Sequence, residues 1–154
     1  LFVLRNIGNF VPPFCKNGNF HGTASAIEYA INVLKVKNII VCGHSYCGAC
    51  QSLHEKIPDS SDFINIKKWL ELGQKAKMKT LQKKYATKDE LYRATEKNSL
   101  ICQLDNLLTY PVIQKNITSN QLTIHGWYYN LKDGSIEFYD QEDNSFKDIL
   151  NFQI

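Results

Sequence analysis

The sequence has no long apolar run. No uninterrupted apolar stretch approaches the roughly 18 residues that a membrane-spanning helix needs, and no charged-then-apolar leader opens the chain. Internal repeats and low-complexity segments are also missing, which argues against a repeat architecture. We therefore expect a soluble chain that takes no membrane as a partner.

The chain also lacks a strong excess of either charge. Eighteen Lys and Arg against fifteen Asp and Glu leave a net charge of +3, too small to indicate a nucleic-acid partner. Lysines do concentrate in the middle, but no aromatic residues or recognition motif accompany them. We interpret them as solvated helix faces and expect no nucleic-acid binding. They are Lys67, Lys68, Lys75, Lys77, Lys79, Lys83, Lys84 and Lys88.

The cysteines do not suit a disulfide framework. There are five, an odd number, and three of them crowd into the nine residues from Cys42 to Cys50. That spacing is typical of metal or thiol chemistry in a reducing compartment. We expect a cytoplasmic protein.

The first part of the chain predicts a βαβ unit. At 154 residues and 44% hydrophobic, we expect residues 1–154 to form one domain. Leu1–Leu4 is apolar and β-rich and predicts a strand. Thr23 is a candidate N-cap for a helix over Ala24–Leu34, and Asn38–Cys42 predicts a second strand. Because such a crossover joins parallel strands, we expect a parallel sheet.

The rest of the chain predicts helices followed by a hairpin. We expect a helix over Gly48–Lys56, a helical middle broken at Gly73, and a long helix that begins at the Thr87–Glu90 capping box. Strands over Leu122–Leu131 and Ile136–Tyr139 flank an Asp-Gly turn, and residues 140–154 suggest a short helix. The predicted fold class is α/β, with a mostly parallel sheet flanked by helices and a C-terminal antiparallel edge hairpin strand. The apolar residues expected on the buried faces of the middle helices are Phe63, Ile66, Leu70, Met78, Leu81 and Tyr85.

The stretch from Asn38 to Cys50 carries the chemistry. A buried strand ends at Gly43, and His44 and Cys47 follow three residues apart, so one turn of chain can aim an imidazole nitrogen and a thiolate at one ion. Zinc prefers nitrogen and sulfur ligands in tetrahedral geometry. We predict that His44 and Cys47 bind Zn²⁺, with an open position for water.

Two other interpretations stay open at this point. Cys47 and Cys50 form a C-x-x-C motif at a helix N-terminus, which is typical of thiol redox sites. Alternatively, Cys42, His44, Cys47 and Cys50 could close a structural zinc site, although strand alternation predicts that Cys42 points into the core. Three further residues are interpreted as structural: His54, His125 and Cys102.

Four segments in order resemble the β-class carbonic anhydrases of bacteria. They are Phe2-Val-Leu-Arg-Asn-Ile-Gly-Asn9, Ser25-Ala-Ile-Glu-Tyr-Ala30, Ile40-Val-Cys-Gly-His-Ser-Tyr-Cys-Gly48 and Ile124-His-Gly-Trp-Tyr-Tyr129. The resemblance covers nearly the whole chain. It implies that the His and Cys of the Gly-His-x-x-Cys-Gly core, here His44 and Cys47, bind zinc.

One departure from the family pattern stands out. The family takes its first zinc ligand from a Cys-x-Asp-x-Arg motif, whose Asp and Arg form a dyad beside the metal, and no such motif occurs here. The resemblance therefore leaves the catalytic residues of this chain unknown. We expect the natural protein to be longer at its N-terminus. The missing strand would leave a gap between the strands that end at Arg5 and at Cys42.

The resemblance also implies an activity. We expect the full-length protein to interconvert CO2 and bicarbonate through a zinc-bound hydroxide, as a homodimer or larger homo-oligomer, and the 154 residues alone to be inactive or nearly so. Arg5 is a candidate for the bicarbonate environment. The alternative is a non-catalytic paralogue that kept the scaffold and binds zinc.

Overall fold

The computed structural model describes residues 1–17 and 21–152. In chain order the helices and strands are α1 Gly22–Asn32, β1 Asn38–His44, α2 Gly48–Ser52, α3 Ile64–Leu70, α4 Gln74–Thr80, α5 Lys88–Leu107, α6 Pro111–Thr118, β2 Thr123–Tyr129, β3 Ile136–Asp140 and β4 Ser145–Asp148. Three-residue 3-10 turns lie at Ile7–Asn9, Ser61–Phe63, Glu71–Gly73 and Ile149–Asn151. No helix in this part of the chain is long and apolar enough to cross a bilayer.

The described strands form one mixed sheet in the order β1-β2-β3-β4. β1 and β2 are parallel, in a register that runs from Asn38 opposite Thr123 to His44 opposite Tyr129. β2 and β3, and then β3 and β4, pair antiparallel. The expected α/β class, with flanking helices and C-terminal antiparallel strands, is confirmed.

The C-terminal tail differs from its prediction. Where we expected a short helix, the chain turns through Asn144, which has a positive φ of 51°, and adds β4 to the sheet. Phe146 of this strand packs against Tyr128 and Tyr139, with ring centroids 6.2 and 5.3 Å away. The burial of these rings favours a strand, because alternate residues of β4 can face the aromatic residues of β2 and β3.

Helix α5 is the central helix of the fold. Thr87 Oγ1 accepts a hydrogen bond from the Glu90 amide, so the predicted N-cap is confirmed, whereas the Glu90 carboxylate accepts from the Ala86 amide and not from the Thr87 amide. Leu100, Leu104 and Leu107 then enter one apolar core with side chains of α1, β1, α6 and β2. Cys102 is 2% exposed and lies in the interior, as predicted.

The segment Val11–Phe14 is fastened to the C-terminal end of α5. The Val11 amide donates to Gln103 Oε1 at 2.8 Å, and Asn106 Nδ2 donates to the Val11 carbonyl at 2.8 Å. Tyr110, which is 1% exposed, donates from its hydroxyl to the Pro12 carbonyl at 2.8 Å. These side chains replace the backbone ladder that an irregular segment lacks.

The first four residues are not a strand. Leu1–Leu4 has no ladder partner among the described residues, and it lines an apolar cavity of about 430 Å³ together with Ile39, Ile40 and Cys42 of β1. The cavity lies between this segment and the strand that carries Cys42. Because side chains of β1 on that side face the cavity, Ile40 and Cys42 are exposed, and the prediction that Cys42 enters the core is wrong.

Helix ends and faces account for the remaining differences. α1 begins at Gly22 after His21, with no side-chain cap, so Thr23 is inside the helix. α2 ends at Ser52, earlier than predicted. Gly73 does mark the break between α3 and α4, but Met78 and Leu81 are 69% and 55% exposed. The apolar spacing correctly predicts a helix here, but the prediction that Met78 and Leu81 lie on its buried face is wrong.

Candidate metal centre

His44 is the last residue of β1. It shares a strand face with Ile40 and Cys42, and its side chain is exposed beyond the end of the strand. Its Nδ1 lies 2.8 Å from the Ser45 carbonyl oxygen. Since a carbonyl accepts and cannot donate, Nδ1 carries the proton, and the lone pair is on Nε2. The imidazole is thereby oriented to act as a ligand through Nε2.

Cys47 lies at the N-cap of α2 and is 7% exposed. The neighbouring Cys50 thiol lowers the pKa of Cys47 to about 5, with help from the Cys50 and Ala49 amides and against the effect of burial. The same contact and burial raise the pKa of Cys50. The lowered pKa favours the thiolate of Cys47, the form that binds metals.

The loop between the two residues is held by β2 and the residues that follow it. The Ser45 amide donates to the Tyr129 carbonyl at 2.9 Å, and Ser45 Oγ accepts from the Leu131 amide at 2.8 Å. Ser45 is 1% exposed. These bonds fix the point at which the chain leaves the sheet, directly beside His44.

A buried carboxylate from α5 lies behind Cys47. Glu96 is 2% exposed, and its Oε1 accepts from the Cys47 amide at 2.8 Å. Its Oε2 accepts from the Tyr128 hydroxyl at 2.7 Å, and Arg93 Nη2 lies 2.8 Å from Oε1. Burial raises the pKa of Glu96, and its donors, Tyr128 first, oppose that rise. Sequence reasoning missed Glu96, Arg93 and Tyr128.

The other candidate residues lie apart from this pair. Cys42 is exposed on β1, and Arg5 is also exposed. His54 Nε2 is hydrogen-bonded to Thr95 Oγ1 at 2.8 Å, and His125 Nε2 to Asn38 Oδ1 at 3.0 Å, as their structural interpretation predicts. Within residues 1–17 and 21–152, no three His, Cys, Asp or Glu side chains come together as a metal cluster. The closed four-residue zinc site is not formed.

His44 and Cys47 carry the types of donor atom that zinc prefers. An imidazole nitrogen and a thiolate are two of the ligands that zinc prefers. A catalytic zinc site has three protein ligands, and the described residues bring no third His, Cys, Asp or Glu to this pair.

An α/β fold with an imidazole and a thiolate beyond the carboxyl end of a parallel strand defines a candidate metalloenzyme. The family model described as Carbonic anhydrase matches residues 1–136. A carbonic anhydrase of Helicobacter pylori strain J99 is 35% identical over 154 residues, covering 97% of this chain and 69% of the relative. The chain belongs to the carbonic anhydrase family, in its β class.

Solved structures agree with this assignment. The β-carbonic anhydrase CcaA superposes with a TM-score of 0.81 at 32% identity, covering 96% of this chain and 66% of that one. One of two tetrameric β-carbonic anhydrases from Sordaria macrospora gives a TM-score of 0.77 at 27% identity, covering 89% and 66%.

Other relatives extend well beyond the matched region. A carbonic anhydrase of Synechocystis sp. strain PCC 6803 is 36% identical over 148 residues, which cover 91% of this chain and 51% of the relative. A carbonic anhydrase of Synechococcus elongatus strain PCC 7942 is 35% identical over 139 residues, covering 88% and 50%. The chain thus spans about half the length of these curated relatives.

Proposed function

We propose that the complete protein catalyses the reversible hydration of CO2 to bicarbonate and a proton, with Zn²⁺ held in part by His44 and Cys47. The observation that carries this proposal is the placement of His44 at the end of β1, with its Nδ1 against the Ser45 carbonyl, and of Cys47 at the N-cap of α2, in a chain of this family. When bound, zinc would supply the Lewis acidity that makes water a nucleophile at neutral pH.

The chain's own residues would act as follows. His44 presents Nε2, because Ser45 holds the proton on Nδ1. Cys47 presents a thiolate without releasing a proton at neutral pH, because the Cys50 thiol and the first amides of α2 stabilise the negative charge. The third ligand comes from outside this pair. We therefore expect the 154 residues alone to be inactive or nearly so.

A thiol oxidoreductase is less well supported by the geometry. Thiol exchange requires that a thiolate be reachable by an incoming disulfide. Cys47 and Cys50 are only 7% and 2% exposed, so this pair is closed to a large partner.

Assembly and compartment are part of the same proposal. We propose a homo-oligomer, supported by the tetrameric relatives from Sordaria macrospora. The five cysteines are all free, which supports a reducing compartment, and we propose the cytoplasm.

The test measures zinc per chain and stopped-flow CO2 hydration on the 154-residue chain and on the complete gene product. We expect about one zinc per chain and hydration only in the complete product, both lost in its Cys47→Ala variant. Cys15→Ala, which changes an exposed thiol far along the sequence, is the matched control. Zinc without hydration in the complete product would favour the non-catalytic zinc-binding module.

A further inference from the structure

Three side chains converge on the loop that carries Cys47. Glu96 and Arg93 come from α5, and Tyr128 comes from β2. Arg93 and Tyr128 each contact the Glu96 carboxylate, which also accepts from the Cys47 amide. We call Arg93, Glu96 and Tyr128 the Glu96 clamp. A carboxylate that is 2% exposed must have its oxygens satisfied by donors, and here both oxygens are.

The clamp acts on Tyr46 as well as on Cys47. Tyr46 has a positive φ of 59°, a conformation that a bulky residue rarely adopts and that persists only when its surroundings impose it. The Arg93 guanidinium lies over the Tyr46 ring, with Cζ 4.0 Å from the ring centroid. The stacking holds Tyr46 while Glu96 holds the next amide, so two consecutive residues are fixed from α5.

Tyr128 connects the clamp to the sheet that carries His44. Tyr128 pairs with Gly43 in the β1–β2 register, and its neighbour Tyr129 pairs with His44. The hydrogen bond from the Tyr128 hydroxyl therefore ties Glu96 to the same strand end from which His44 projects. Movement of Glu96 would change the position of Cys47 relative to His44.

We propose that the Glu96 clamp is a positioning device that sets the separation of His44 Nε2 and Cys47 Sγ for a metal ion. The proposal rests on the proposed function, since it takes these two residues as ligands. Glu96 touches neither metal nor substrate and acts through the Cys47 amide. Removal of the Glu96 carboxylate should lower the free energy of metal binding by more than it lowers the free energy of unfolding.

The test compares Glu96→Met with Gln103→Met in the complete protein. Both residues lie on α5, both are almost fully buried, and each accepts a hydrogen bond from the amide of a distant loop residue, Cys47 or Val11. Each variant therefore removes the buried side-chain acceptor of one loop amide, once at the clamp and once away from it, and Glu96→Met also removes a negative charge. Glu96→Gln keeps one acceptor oxygen and serves as the conservative rescue.

Co²⁺ is the probe, titrated into metal-free protein and followed by the near-ultraviolet thiolate charge-transfer band. We expect Glu96→Met to weaken Co²⁺ binding by about 10 to 100-fold, the range usual for residues that orient a ligand, with Glu96→Gln intermediate and Gln103→Met within about twofold of the unaltered protein. Thermal unfolding should show similar losses for the two Met variants. Equal Co²⁺ affinity in Glu96→Met and Gln103→Met would overturn the proposal.

A second readout separates this inference from the proposed function. If the unaltered protein binds no Co²⁺, the metal site fails, and hydrogen exchange in peptide 43–52 then decides the clamp. Faster exchange of the Cys47 amide in Glu96→Met, but not in Gln103→Met, would show that Glu96 positions this loop. Unchanged exchange would refute the clamp whatever the metal result.

Discussion

Gly126 of β2 lies directly against Leu100 of α5. A Cβ atom at Gly126 would come within 2.4 Å of Leu100 Cδ2, and within 2.9 Å of Leu104 Cδ1. Leu100 is 0% exposed. The absence of a side chain at Gly126 is what allows the central helix to approach the sheet.

We therefore expect Gly126→Ala to lower the free energy of unfolding by about 1 to 3 kcal/mol, the usual cost of overpacking a core. Urea unfolding measures the change. Gly22→Ala is the control, because a Cβ there meets nothing within 4 Å. Equal stability of the two variants would show that Leu100 moves aside at no cost.

Thr87 tests the helix cap. Thr87→Ala removes the hydroxyl that accepts from the Glu90 amide, so α5 should lose about 1 kcal/mol of stability. Thr118→Ala is the comparison, since Thr118 is exposed and its hydroxyl donates to a carbonyl within α6. That control should stay within about 0.5 kcal/mol of the unaltered chain. A change at Thr87 no larger than that would contradict the cap.

His54 makes stability depend on pH. Burial lowers the pKa of His54, and the Lys77 charge lowers it further. The unfolded chain therefore takes up the proton before the folded chain does, so the stability contributed by neutral His54 is present above about pH 6.5 and is lost as pH falls toward the folded pKa. Unfolding free energies at pH 7.5 and 5.5 should differ less in His54→Gln than in the unaltered chain.

Nuclear magnetic resonance titration gives the pKa of His54 directly. It should lie below the ordinary histidine value, and Lys77→Gln should raise it by removing the neighbouring positive charge. A folded-state pKa of His54 at or above about 6.5 would contradict the prediction.

Cys50 distinguishes the open zinc site from its alternatives. Cys50 lowers the pKa of Cys47 but is not one of the proposed ligands, so Cys50→Ala in the complete protein should still bind zinc at one ion per chain. His44→Ala should lose at least tenfold in zinc affinity, because a ligand is removed. Competition with a chromogenic chelator measures both. Loss of zinc in Cys50→Ala comparable to that in His44→Ala would favour a structural site that uses Cys50.

The elements that could be predicted from sequence are those with local signals. The Thr87–Glu90 capping box marks the start of α5, and the apolar run from Asn38 places β1 to within two residues of its observed end at His44. Likewise, the Asp-Gly turn predicts the β2–β3 hairpin. In each case the residues that decide the structure are neighbours in the chain.

The predictions that failed concern elements whose structure depends on partners far along the chain. Leu1–Leu4 has a strand's composition, but a strand also needs a paired neighbour. The apolar pattern predicts one buried face for α5, but that face also carries Thr95, Glu96, Ser99 and Gln103, which hydropathy does not reveal. Glu96 and its contacts were missed for the same reason: a charged helical residue is usually solvated, and only the fold shows that this one is buried.

The tethering of Val11–Phe14 to α5 has a consequence for the order of folding. Its hydrogen bonds join residues 92 to 98 positions apart, Val11 to Gln103 and Pro12 to Tyr110. Synthesis on the ribosome proceeds from the N-terminus, so this segment cannot dock until Tyr110 has emerged. Contacts of such long sequence separation also slow folding, because the loop between them must close first. The N-terminal segment, although made early, is among the last parts of the chain to reach its final place.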